Sequence, residues 1–188
     1  MIRCCITNRL ALGGEAQLLD AIARNIAAGV EWIQIREKDL PARDLSGLLR
    51  RALALPRPAG TKILLNTRVD VALASGAAGA HLPAGSMAPR IWRSIAPPGF
   101  LIGVSCHTVE EVRQGETDGA DYAIFGPVFE PLSKTSDLAP RGLAALAEAV
   151  RAANIPVLAL GGITRDRVPA CLETGAAGVA GISLFQSW

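Results

Sequence analysis

Eight short apolar runs, each separated from the next by a stretch with helical spacing, constrain this chain more than any other feature. The runs are RCCIT (3–7), EWIQIRE (31–37), KILLN (62–66), GAHLP (79–83), FLIGVS (100–105), YAIFG (122–126), PVLALG (156–161) and GVAGIS (178–183). They are apolar throughout or nearly so, the pattern of parallel strands covered on both faces. Between them, residues 15–28 set Leu18, Ile22 and Ile26 on one helical face before Gly29, and residues 41–54 begin with Pro41 and carry a leucine stripe. Thr108 and Glu111 have the T-x-x-E spacing of a capping box. Residues 142–153 repeat Ala and Leu at helical spacing, and Thr164 is placed to cap the segment that ends at Gly175. Gly-Val or Gly-Ala at 29–30, 79–80, 119–120 and 175–176 marks returns from helix to strand.

About eight βα units without a linker or a shift in composition predict one domain over residues 1–188, of α/β class, folded as a TIM (β/α)8 barrel. Only LFQSW follows the last quoted stretch, so the eighth helix is expected to be missing or shortened. A doubly wound sheet is the alternative, but no GxGxxG follows the first run. Without that helix, a strip formed by Cys5, Val179, Leu184 and Phe185 should lack cover, and a homo-oligomer is expected to cover it.

Composition narrows the partners. Half the residues are hydrophobic and 19% are charged, which argues for a compact globular chain. A net charge of +2, with Lys and Arg scattered, offers no stripe for nucleic acid or an acidic membrane surface. No run approaches the roughly 20 apolar residues of a membrane span, and MIRCCITNR lacks the apolar stretch of a signal peptide. A cytoplasmic protein is expected. Cys4, Cys5, Cys106 and Cys171 form no C-x-x-C pair and read as small core hydrophobes, with no metal site.

In such a barrel the chemistry sits at the C-terminal ends of strands, and residues two apart share a face. Gln34, Arg36 and Lys38 form one such row, whose two cations suit a phosphate or pyrophosphate. Asn66 either orients a polar ligand or caps a helix starting near Val69. Gly103, Ser105 and His107 share a face that Cys106 does not, so Cys106 and His107 are not a nucleophile–base pair. His107, at the strand end, reads as functional; His81, inside GAHLP, reads as structural. GPVFEPLSK starts a polar loop running to Arg141, with Ser133 and Lys134 near its beginning, of the kind that covers a substrate. Gly161-Gly162 and Gly181-Ile182-Ser183 let backbone N–H groups approach an anion where barrels usually bind phosphate.

Taken in order, QIREKD (34–39), NTRVDVAL (66–73), GAHLPAGS (79–86), GVSCHTVEE (103–111), ADYAIFGPVF (120–129), SK (133–134), PVLALGGIT (156–164) and GAAGVAGIS (175–183) resemble the thiamine phosphate synthase/TenI family over nearly the whole chain. The resemblance implies a TIM barrel and a small-molecule thiazole or pyrimidine phosphate as ligand. Synthases of this family join a pyrimidine pyrophosphate to a thiazole phosphate with magnesium; the TenI branch includes tautomerases that aromatise a thiazole carboxylate phosphate by moving a proton. It further implies that Gln34, Arg36, Lys38, Asn66, Ser105, Ser133 and Lys134 form the pyrimidine and pyrophosphate site, and that Gly161, Gly162, Gly181, Ile182 and Ser183 bind thiazole phosphate.

Where synthases carry magnesium-binding acids, this chain has Thr67 and Ser86, and hydroxyls are poor ligands for a hard cation. The T-x-T-K pattern of the family is also altered, with Pro131 and Ser133 before Lys134. "LPAGS" and "VFE" resemble the TenI branch instead. The expected function is therefore a thiazole tautomerase without cofactor, with His107 as the acid/base, since imidazole titrates near neutrality. Two alternatives stand beside it. One is a thiamine phosphate synthase, which would call for Mg2+; the other is a non-catalytic phosphate-binding or regulatory relative.

Overall fold

The computed structural model describes residues 1–58, 60–130 and 138–186. Its eight strands are β1 (Ile2–Ile6), β2 (Trp32–Ile35), β3 (Lys62–Asn66), β4 (Gly79–Leu82), β5 (Leu101–Cys106), β6 (Tyr122–Phe125), β7 (Val157–Leu160) and β8 (Gly178–Gly181). All pair in parallel with their sequence neighbours, and β8 closes on β1. The helices are α1 (Arg9–Leu12), α2 (Glu15–Ala27), α3 (Ala42–Ala54), α4 (Val69–Ser75), α5 (Pro89–Arg93), α6 (Val109–Thr117), α7 (Gly142–Arg151) and α8 (Val168–Glu173). This is a TIM barrel, as the pattern of apolar runs predicts. None of its described helices is long and apolar enough to cross a membrane.

The apolar runs serve two cores because strand residues alternate faces. Outward-pointing Ile33, Ile35, Ile63, Leu65, Ile102, Phe125 and Val179 pack with helix residues such as Leu18, Ile22, Leu48 and Leu49. Inward, Cys4, Ile6, Trp32, Leu64, Tyr122, Ile124, Leu158 and Ala180 fill the barrel. Trp32 and Tyr122 meet there with ring centroids 4.7 Å apart. Each fully buried side chain of this size stabilises by roughly 1.5–3 kcal/mol, so the inner plug is a substantial share of the fold's stability. Gly103 lies against it because a Cβ there would fall 2.0 Å from Tyr122 Cζ.

Two expectations need correction. After β8 the chain forms a 3-10 turn, Ser183–Phe185, where a helix would follow. That turn is itself the cover: Leu184 and Phe185 are buried, as are Cys5 and Val179 beside them, and Asn25 Nδ2 donates to the Phe185 carbonyl at 3.2 Å. The strip that motivated a homo-oligomer is therefore not exposed. Thr164, for its part, makes no side-chain cap; its segment starts as a 3-10 turn, Arg165–Arg167, before α8.

Candidate active site

The C-terminal ends of β5 to β8 enclose a hollow of about 350 Å³. Its wall includes His107, Gly126, Gly161, Gly162, Gly181, Ile182 and Ser183, and also Ser105, which the resemblance groups instead with the pyrimidine and pyrophosphate residues. Gly161 and Gly162 have φ of 98° and 60°, a region open to glycine and strained for side chains. Close packing requires them as well: a Cβ on Gly161 would lie 2.5 Å from Pro127 Cβ, and one on Gly162 would lie 2.2 Å from the Glu130 carbonyl oxygen. The turn is held from outside by Arg167, whose Nη1 donates to the Gly162 carbonyl at 2.8 Å while its guanidinium lies over the Phe129 ring. A rigid, side-chain-free wall of this kind suits an anion bound through backbone N–H groups.

His107 faces the hollow from just beyond β5. Its Nδ1 is 2.5 Å from the Gly126 carbonyl oxygen. A carbonyl only accepts, so Nδ1 carries a proton and donates it to that oxygen. The His107 backbone N–H and that of Thr108 both donate to the Glu111 carboxylate, part of the capping box that opens α6. Cys106 points the other way into the outer core, where burial, with Glu111 adding to it, pushes its thiol up to about 12. It is not a nucleophile.

A second hollow, also of about 350 Å³, opens at the ends of β2 to β4, between Glu37, Lys38, Asn66, Thr67, Arg68 and Pro83. Asn66 does not cap α4, whose N-cap is Arg68 without a side-chain bond. Its Nδ2 donates instead to Thr67 Oγ1 at 2.8 Å. Among the described residues Thr67 is the only non-glycine with positive φ, at 69°. Such a conformation in a β-branched residue costs about 1–3 kcal/mol and is typical of ligand-contacting backbone. Gln34, inward on β2, is buried with Nε2 lacking a partner. Arg36, next on that face, is half-buried, and its charge acts on His81. Ser133 and Lys134 lie outside the described residues.

Sequence reasoning missed other parts of the first hollow's wall. Asn8, at the N-cap of α1, and Gln186, whose Nε2 is buried without a partner, both line it. A four-residue helix has no readable period, and Gln186 stands outside every run, so only the end of β1 offered a signal. His81, which reads as structural from its place inside GAHLP, has its Nε2 2.8 Å from Ser105 Oγ in the hollow wall.

The residues of the second hollow and of the neighbouring loop after β4 do not fit a resident magnesium ion. Thr67 and Ser86 offer hydroxyls. Glu37, the carboxylate that lines the second hollow, already accepts from Thr7 Oγ1 at 2.6 Å and from the Arg9 N–H, and Asp70, three residues after Thr67, pairs with Arg68. Near Ser86, Asp118 pairs with Arg90 and Gln114, and Glu111 with the α6 cap. Hard cations require free anionic oxygens, and among the described residues no three His, Cys, Asp or Glu cluster.

Fold and site together define a TIM barrel with a glycine-walled pocket over β7 and β8 and a second polar hollow over β2 and β3. The family model described as thiamine monophosphate synthase matches residues 4–185, and the chain belongs to that family. It is 44% identical over 178 residues to a putative thiamine-phosphate synthase of Geobacter sulfurreducens, covering 95% of this chain and 83% of the relative. It is 41% identical to the thiamine-phosphate synthase of Roseiflexus castenholzii, covering 95% and 78%. Among solved structures, a thiamine phosphate pyrophosphorylase from Pyrococcus furiosus superposes with a TM-score of 0.85 at 34% identity, over 97% of this chain and 85% of that one. The relatives' names point to a synthase, a transferase; they do not support the tautomerase reading of the sequence.

Proposed function

We propose that the chain is a thiamine phosphate synthase, joining a hydroxymethylpyrimidine pyrophosphate to a thiazole phosphate. The observation that carries this reading is the pair of hollows at the C-terminal strand ends of one barrel, since a bimolecular condensation needs room for two substrates. The names of the relatives support it independently. In this reading the backbone N–H groups around Gly161, Gly162, Gly181, Ile182 and Ser183 hold the phosphate of the thiazole. The ring nitrogen attacks the pyrimidine's methylene carbon, a C–N bond forms, and the C–O bond breaks with its electron pair leaving on pyrophosphate. Arg36 and Lys38, and Lys134 from the loop, neutralise that leaving group, while Gln34 and Asn66 orient the pyrimidine.

A tautomerase remains the second reading because of one observation. His107 lines the glycine-walled hollow with its Nδ1 engaged by the Gly126 carbonyl, while Thr67 and Ser86 supply no carboxylate for a metal. Incubating the protein with each substrate set, with and without magnesium, separates the two. Thiamine phosphate formation is the expected result. Isomerisation of the thiazole carboxylate phosphate without any condensation would replace this reading with the second.

A further inference from the structure

Tyr122 is the only tyrosine in the chain. It is fully buried at the centre of the barrel, and its hydroxyl lies 3.2 Å from His81 Nδ1. Among the described residues that is the hydroxyl's one hydrogen-bond partner. His81 is 3% exposed, and its other nitrogen meets Ser105 Oγ. Three polar groups on β6, β4 and β5 thus form a single file from the barrel's apolar plug to the wall of the first hollow.

The direction of that file follows from counting protons. Burial raises the Tyr122 phenol well above its usual range, so it keeps its proton. That proton needs an acceptor, because a buried unsatisfied donor is costly. Nδ1 must therefore be bare. The imidazole cannot escape by charging: burial, and then the Arg36 charge, push it down to about 3. A neutral ring with bare Nδ1 carries its proton on Nε2 and donates to Ser105 Oγ. Ser105 then has its own proton left to give, and it faces the hollow.

We propose that Tyr122 and His81 are positioning residues that keep the Ser105 hydroxyl proton free to donate to the bound organic phosphate. The site thereby favours a ligand with a lone pair at that point, such as a ring nitrogen or an oxygen of the ester, which takes the Ser105 proton. The identity of the ligand rests on the synthase reading; the orientation of the relay does not.

The test uses 15N-histidine NMR on the whole chain, where two histidines give two ring systems and the His107→Asn variant assigns them. His81 is expected to hold its proton on Nε2, without titrating, from pH 8 to pH 5. Tyr122→Phe removes the donor that fixes this tautomer, and Nδ1-protonated His81 should appear. In calorimetry with thiazole phosphate, Ser105→Ala and Tyr122→Phe should each weaken binding by roughly 2- to 10-fold, the range of one hydrogen bond. The double variant should lose little more than Ser105→Ala alone. An Nδ1-protonated or charged His81 in the native protein would overturn the proposal, as would unchanged binding in Ser105→Ala. If the protein makes no thiamine phosphate, the synthase reading falls, while tautomer and calorimetry still decide the relay.

Discussion

Gly103 and Tyr122 show how little freedom a single position has inside this barrel. A methyl group on Gly103 would overlap the Tyr122 ring, and that ring is fixed by Trp32 on one side and by His81 at its hydroxyl. Gly103→Ala is therefore expected to destabilise the fold by roughly 1–3 kcal/mol, the usual cost of overpacking, read as a lower denaturant midpoint. An unchanged midpoint would mean that Tyr122 moves freely. His81 adds a pH term with a definite sign. Its folded value, about 3, is below the roughly 6.5 of an unfolded imidazole, so the unfolded chain takes up the proton first. The stability from keeping His81 neutral is present above about pH 6.5 and is lost as pH falls towards 3. His81→Gln should flatten that part of the acid-unfolding profile; an equally steep profile in the variant would remove His81 as its cause. Much of this was hidden in the sequence. Period-two alternation sets Ser105 and His107 on one strand face, but the partner of Ser105 lies on β4 and the partner of that histidine on β6. The register that aligns them is a property of the closed sheet.

Helix α6 is the element whose local sequence says most. T-x-x-E is a short-range pattern, and Thr108 and Glu111 form the capping box it predicts. The cap also reaches the site, because Glu111 accepts the His107 N–H. Glu111→Ala should thus lower stability by about 1 kcal/mol, the typical value of a cap, and also reduce turnover through a less fixed His107. A loss of stability with unchanged kcat would separate the cap from the site. Short elements were the illegible ones. Helices α1 and α5 have four and five residues, too few for a period to register. The turn at Ser183–Phe185 seals the barrel with two side chains, Leu184 and Phe185, and one bond from Asn25, none of which leaves a helical signature.

At the scale of the molecule, eight repeated units made the barrel legible, and the strand-end rule pointed to the mouth as the place of chemistry. The sequence did not reveal how the mouth is divided. Lys38 and Asn66 line one hollow, while Ser105, His107 and the glycines of β7 and β8 line another, a partition set by where the strands meet in space. The same view predicts weak metal binding by the ligand-free chain: Mn2+ titrated into it should show no site tighter than the millimolar range typical of sites short of carboxylates. A micromolar site would mean that Glu37 or Asp118 leaves its present partners. The central claim, two substrates held in two hollows at one mouth, is tested most directly by a crystal structure grown with thiazole phosphate and inorganic pyrophosphate together. The account predicts a phosphate on the N–H groups of Gly162 and Ser183, with the thiazole under Ser105 and His107, and pyrophosphate between Arg36 and Lys38. Both ligands in the glycine-lined hollow, or thiazole phosphate bound away from it, would contradict it.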